Sequence, residues 1–242
     1  MKLYVVGMGS GSENGLTYEA REILNEADVI VGYTVYADLV KAFLPDKEYF
    51  TSGMKQEKER CIAAVNMAAE GRNVAVVCSG DSGVYGMASL LHELAAENKD
   101  IEVCAVAGVT AALSGGALVG APLGHDFAAV SLSDLLTPWE KIEKRLSSAA
   151  EADFVICLYN PSSKKRADYL RKACEIVQKY RDTKTVCAAA KNIGREGEEY
   201  TVMTLSELAY YEADMFTTVF IGNSQTKQIK GKMVTPRGYK NV

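Results

Sequence analysis

The run Val74-Ala75-Val76-Val77-Cys78 is apolar throughout and passes directly into Ser79-Gly80-Asp81-Ser82-Gly83. A strand with one wet face alternates apolar and polar residues. A continuous apolar run is buried on both faces, as in parallel sheets covered by helices. Residues 3–7, 29–31 and 101–106 read as further strands of this kind. Helices are expected over 17–27, 56–70, 85–98 and 110–119, and a segment through 38–43 is stopped by Pro45. The helix over 56–70 closes on Gly71 in the position where helices turn left-handed. Strand and helix alternate, so the N-terminal part is an α/β unit with a mainly parallel sheet.

The pattern breaks at Gly120-Ala121-Pro122-Leu123-Gly124 and restarts at 127–132. Two glycines and a proline after a helix mark a boundary, giving an N-terminal α/β domain over 1–120 and a C-terminal one over 121–242. The second half reads as strand 154–159, helix 164–180, strands 185–189 and 199–204, a short helix 206–211 and strand 217–221. Hairpin-like spacings mixed with crossover helices imply a mixed sheet. The tail from 227 to 242 is basic, contains Gly and Pro, and is expected to be irregular.

Composition excludes several classes. With 48% hydrophobic and 24% charged residues in 242, the chain is an ordinary globular protein, and a net charge of −4 argues against nucleic acid as partner. No apolar run reaches bilayer length, and the first strand turns into Gly7 too early for a signal peptide, so a cytoplasmic protein is expected. The six cysteines show no metal-ligand spacing, and only His92 and His125 could assist them. Buried, reduced thiols and no metal or iron–sulfur site are expected.

Two glycine-bearing loops, 79–86 and Gly108-Val109-Thr110-Ala111, follow predicted parallel strands, where open α/β sheets bind ligands. The Gly7-Met8-Gly9-Ser10-Gly11 loop is no dinucleotide fingerprint: a third glycine belongs at position 12, which is Ser12. The next strand also ends Val31-Gly32-Tyr33, without an acidic residue for a ribose. No phosphate-binding Gly-Lys-Ser/Thr follows any strand. Asp81 either caps the following helix or accepts hydrogen bonds from a ligand, since a carboxylate there needs partners. Thr110 likewise reads as a cap or a ligand contact, and lies beside the Asp81 loop if their strands are neighbours.

Residues 5–11, Ser79-Gly80-Asp81, Gly108-Val109-Thr110-Ala111 and Gly120-Ala121-Pro122-Leu123, in this order, resemble the tetrapyrrole (class III) S-adenosylmethionine methyltransferases. Gly32-Tyr33-Thr34-Val35-Tyr36, Thr51-Ser52-Gly53-Met54, residues 120–127 and residues 131–139 are similar to its precorrin-3B C17-methyltransferase branch. Leu158-Tyr159-Asn160-Pro161 and Gly222-Asn223-Ser224 extend the resemblance over nearly the whole chain. The resemblance implies two α/β domains with the ligand cleft between them, a homodimer, and S-adenosylmethionine as methyl donor. It implies methylation of precorrin-3B or its cobalt form at C17 with ring contraction, giving precorrin-4 or its cobalt form in cobalamin biosynthesis. Another corrinoid methyltransferase of this fold, or a non-catalytic nucleotide-binding α/β protein, remain the alternatives.

Carried over by position, the donor contacts are Ser10, Gly80, Asp81, Val84, Thr110, Ala111, Tyr159, Asn160, Asn192 and Thr218. Ser10 stands where the family usually has proline. A sulfonium is already electrophilic, so alignment is the protein's main task and no catalytic triad is needed. A tetrapyrrole carries many carboxylates and wants cations at the rim of an apolar trough. Lys55 and Arg60, Lys164, Lys165 and Arg166, and Lys191 and Arg195 are the cations near these loops, each otherwise readable as a solvated surface charge. His125 is the candidate for proton transfers during contraction, against the plain reading of a packed histidine beside a capping Asp126.

Overall fold

The computed structural model describes residues 1–163 and 166–240 and divides by its contacts into two units, Met1–Ala111 and Ala112–Val242. The first unit holds β1 (Lys2–Gly7), α1 (Tyr18–Glu26), β2 (Val29–Tyr33), α2 (Thr34–Lys41), β3 (Glu48–Ser52), α3 (Glu57–Ala69), β4 (Val74–Cys78), α4 (Ala88–Ala95) and β5 (Glu102–Val106). Its sheet is parallel throughout, in the order β3-β2-β4-β1-β5.

The apolar runs of β1, β2 and β4 behave as their pattern requires, whereas β5, at the edge of the sheet, fully buries only Val106 and exposes Glu102 and Ala105. Val74, Val76 and Cys78 face one core with Cys61, Ala64 and Leu91 of α3 and α4, while Ala75 and Val77 face another with Leu24 and Val40 of α1 and α2. The central strand β4 is buried at every position. Thr17 caps α1 by accepting from the Ala20 N–H at 3.1 Å, and Gly71 after α3 takes a φ of +94°. The edge strand β3 is mostly exposed and polar, and the sequence reading passed over it for that reason. Helix α4 begins at Ala88, not Tyr85, because Tyr85 takes a left-handed φ of 55° and keeps the loop open.

The second unit contains α5 (Ala111–Val119) from its second residue on, then β6 (Gly120–Ala121), β7 (Phe127–Ser131), α6 (Trp139–Glu151), β8 (Val155–Tyr159), α7 (Tyr169–Val177), β9 (Val186–Lys191), β10 (Glu199–Thr204), α8 (Leu205–Leu208), β11 (Thr217–Ile221), β12 (Lys227–Ile229) and β13 (Lys232–Val234). Its main sheet runs β10-β9-β11-β8-β7, with β7 and β8 parallel and the other pairs antiparallel, so it is mixed. The contact division precedes the Gly120–Gly124 break because α5 packs with the second core: Ala112 lies with Cys157, Ala188 and Phe220, and Gly115 faces Ile193 and Phe220. Helix α6, absent from the sequence reading, buries Ile142, Leu146, Ala149 and Ala150 at helical spacing.

The expected irregular tail is instead a hairpin. Strands β12 and β13 pair antiparallel across Lys230-Gly231, both at positive φ, and β13 pairs with β6. Two left-handed residues are what a tight two-residue hairpin turn demands. Five cysteines are buried and Cys104 partly so; all six are free thiols. Among the described residues no helix is long and apolar enough to cross a membrane.

Arg181 staples the second unit. Its guanidinium donates to the carbonyls of Gly222 and Phe154, and to that of Ala149 at 3.3 Å, joining three chain segments. Arg181→Leu is expected to destabilise the fold by at least one charge-assisted hydrogen bond, about 1.5–3 kcal/mol, as read from urea denaturation. An unchanged midpoint would show that the staple contributes nothing.

Candidate functional site

The carboxyl edge of the first sheet is built from bare backbone. Strand β1 connects across β4 to β2, and β4 connects across β1 to β5, so the two connections run in opposite directions and their helices α1 and α4 cover opposite faces. Ligands of open α/β sheets bind at such a switch point. Here Gly9 and Gly80 form an antiparallel bridge, with Gly9 N–H to Gly80 O at 3.0 Å and Gly80 N–H to Gly9 O at 2.7 Å. A Cβ on Gly7 would lie 2.7 Å from the Gly108 nitrogen, and one on Gly108 would lie 2.2 Å from the Gly80 oxygen. No side chain fits at either position.

Asp81 ties these loops together. Its Oδ1 accepts from the N–H groups of Gly83 at 2.8 Å and Val84 at 3.1 Å, and its Oδ2 accepts from Gly108 N–H at 3.0 Å. The sequence reading asked for β4 and β5 as neighbours. They are not, since β1 lies between them, yet their loops meet because Gly7 has no side chain to hold them apart. Gly80, at φ +71°, brings its Cα side within contact of Thr110, and Ala111 follows at the foot of α5. Ser82, buried, donates to Val106 O at 3.1 Å, while Val84 and Tyr85 are exposed. Ser10 sits in the β1 loop with its hydroxyl 3.3 Å from that of Ser12. Ser10, Gly80, Asp81, Val84, Thr110 and Ala111 thus gather on one edge.

In the second unit β8 and β9 run the same way, so Tyr159, Asn160, Lys191 and Asn192 share an edge with Ser131 at the end of β7, and Thr218 pairs with Ala190 nearby. Asn160 and Asn192 both take left-handed backbone, φ 52° and 50°. Strained non-glycine residues of this kind concentrate at functional loops. The Asn160 amide donates to Ser131 Oγ at 3.0 Å, and Asn192 to Gly197 O at 3.3 Å. The Tyr159 hydroxyl accepts from the Ala112 N–H at 2.9 Å. Ser131 was not singled out in the sequence; only its register beside Tyr159 reveals it.

The cations separate. Lys191 pairs with Asp214 at 3.2 Å, which raises its pKa, and Arg195 lies over the Phe216 ring. Arg166 donates to Ser163 Oγ at 3.1 Å and stands 3.7 Å from Asp134, whose other oxygen accepts from Tyr169. Lys55, at φ 66°, is exposed beside α3. Arg60 is not the rim charge its sequence neighbours imply: it is 2% exposed, in the first turn of α3. Lys164 and Lys165 lie outside the described residues. His125 is exposed, its Nδ1 accepting from the Asp126 N–H at 2.9 Å. Among the described residues no group of three or more His, Cys, Asp or Glu could hold a metal ion.

The family profile of the Tetrapyrrole (Corrin/Porphyrin) Methylases matches residues 2–209. A Salmonella typhimurium protein named "Probable cobalt-factor III C(17)-methyltransferase" is 47% identical over 238 residues, spanning 98% of this chain and 99% of its own. The solved structure of the methyltransferase CobJ is similar with a TM-score of 0.88 and 37% identity, over 96% of this chain and 98% of that one. A uroporphyrin-III C-methyl transferase from Thermus thermophilus, complexed with S-adenyl homocysteine, shares the fold at a TM-score of 0.74 and 22% identity, over 92% and 97% of the two chains.

The glycine contact makes a direct prediction. Gly108→Ala forces a methyl against the Gly80 carbonyl, and overpacking of backbone against backbone is expected to cost about 1–3 kcal/mol in denaturant unfolding. A variant as stable as the parent would mean the three loops are not in contact.

Proposed function

Since the chain belongs to the tetrapyrrole (corrin/porphyrin) methylases, we propose that it methylates cobalt-factor III or precorrin-3B at C17, with ring contraction, in cobalamin biosynthesis. The observation that carries this reading is the 47% identity to the Salmonella C(17)-methyltransferase across nearly the whole of both chains. The methyl donor is S-adenosylmethionine, which supplies an electrophilic methyl group on a sulfonium when bound.

The residues present fit that donor. The glycine contacts bring the 79–84 and 108–111 loops together with Gly83, Val84 and Val109 exposed, and their carbonyls and remaining N–H groups are the partners that a small ligand with hydroxyl, ammonium and carboxylate groups needs. A carboxylate offers about four acceptor positions, and Asp81 has backbone donors on three, so it can orient the loops and still accept from a ligand hydroxyl. Ser10, Gly80, Val84, Thr110 and Ala111 complete this donor set. Tyr159, Asn160, Asn192 and Thr218 are assigned to ligand contact on the second unit.

Substrate carboxylates are assigned to Lys55 and Arg195. At Arg166 and Lys191 they compete with Asp134 and Asp214. His125 is assigned the proton transfers of contraction. Its Nδ1 accepts the Asp126 N–H, so the neutral ring carries its proton on Nε2 and presents it as a hydrogen-bond donor. A homodimer in the cytoplasm belongs to the same reading; light scattering should give twice 26.2 kDa.

Incubation with S-adenosylmethionine and either cobalt-factor III or metal-free precorrin-3B should add one methyl group by mass and shift the absorbance of one of them. A chain that methylates neither contradicts the assignment. Asp81→Ala releases three backbone donors and should weaken S-adenosylhomocysteine binding about ten- to a hundredfold in calorimetry. His125→Ala should slow formation of contracted product about a hundredfold or more with donor affinity unchanged; full activity would remove His125 from the chemistry.

A further inference from the structure

Arg181 and Arg166 each leave one guanidinium nitrogen buried without a partner, yet Arg181 donates to three carbonyls and Arg166 to Ser163, with Asp134 alongside. Arg60 goes further: it is 2% exposed, and its Nε and Nη1 are both buried without a hydrogen-bond partner. An unpaired buried guanidinium is among the most unfavourable groups a core can hold. It also sits in the first turn of α3, where the helix dipole opposes a cation and favours an anion.

Its place in the fold gives this burial a direction. Strand β3 ends at Ser52 and α3 begins at Glu57, so the start of α3 lies on the carboxyl edge of the parallel sheet. Burial pushes the Cys78 thiol, the last residue of β4, up to about 12; the Met87 N–H and the Arg60 charge oppose this, and Asp81 reinforces it. The only other orphaned buried side-chain atom among the described residues of this unit is Ser52 Oγ, on the same edge. Three orphan atoms, all able to donate, thus belong to the end of β3 and the start of α3, on the carboxyl edge of the sheet from which the ligand loops also emerge.

We propose that Arg60 and Ser52 form a receptor for one carboxylate of a bound ligand. A guanidinium fork meets a carboxylate with two parallel charge-assisted hydrogen bonds, and a serine hydroxyl supplies a third. The identity of the ligand rests on the function proposed above: the carboxylate belongs to a side chain of the tetrapyrrole or to the amino-acid part of the methyl donor. Arg60 is already out of water, so a charge-assisted bond to it is not weakened by solvent competition.

The test uses the full chain and the variants Arg60→Met, Arg60→Lys and Ser52→Ala. Cobalt-factor III is titrated by absorbance without donor, S-adenosylhomocysteine by calorimetry, and thermal stability is recorded for each. Arg60→Met should bind one of the two ligands about ten- to a hundredfold more weakly, with a melting temperature equal to or above the parent's, because an unpaired charge has been removed. The ligand that weakens identifies the source of the carboxylate. Arg60→Lys should recover part of the affinity, and Ser52→Ala should weaken the same ligand several-fold.

Parental affinity of Arg60→Met for both ligands overturns the proposal. So does a large loss of stability that Arg60→Lys restores while binding never changes, since that is the behaviour of a purely structural arginine. A parent chain that binds S-adenosylhomocysteine but no tetrapyrrole sinks the C17 assignment instead, and the carboxylate receptor is then decided on the donor titration.

Discussion

Three glycine backbones in contact hold the first unit's ligand edge together. Gly7, Gly80 and Gly108 lie at the exits of β1, β4 and β5, and a Cβ on Gly7 or Gly108 would come within 3 Å of the backbone of both other glycines. Because β1 ends without a side chain, the loops from the strands on either side of it meet over its end. Asp81 then fixes what the glycines allow, accepting from Gly83, Val84 and Gly108. A hydrogen bond to a charged acceptor contributes about 1.5–3 kcal/mol, so this carboxylate locks two loops that have little side-chain packing of their own. Rigid backbone is what alignment chemistry requires, since misplacement by an ångström can cost about a hundredfold in rate.

Much of this was legible in the sequence, for physical reasons. Val74 to Cys78 could only be a strand covered on both faces, and its alternate residues do divide between two helical layers. Thr17 before α1 and Gly71 after α3 marked helix ends by chemistry that is local. Where burial is one-sided the signal weakened: β3, with its polar exposed residues, passed unread. The hairpin of β12 and β13 was hidden because Lys-Gly is a less familiar left-handed pair than Asn-Gly, although Lys230 and Gly231 both adopt positive φ. The helical pattern extends over Tyr85 because nothing local announces a left-handed tyrosine.

The site residues divide in the same way. The loops were legible because glycine and Asp in sequence after a strand have few other uses. The cations were not, because charge alone does not say whether a side chain is solvated, paired or buried. Lys191 proved to be held by Asp214 and Arg166 by Asp134, each a partner more than twenty residues away in sequence. Arg60 is buried without a partner among residues that otherwise pack as a core.

The central claim is that the backbone cradle of the 79–84 and 108–111 loops receives the methyl donor. A crystal structure with S-adenosylhomocysteine tests it most directly. The account predicts polar atoms of that ligand within hydrogen-bond distance of the backbone of both loops, with Asp81 still holding Gly83, Val84 and Gly108. A ligand bound away from these loops, or one whose binding breaks the Asp81–Gly108 bond, would contradict it.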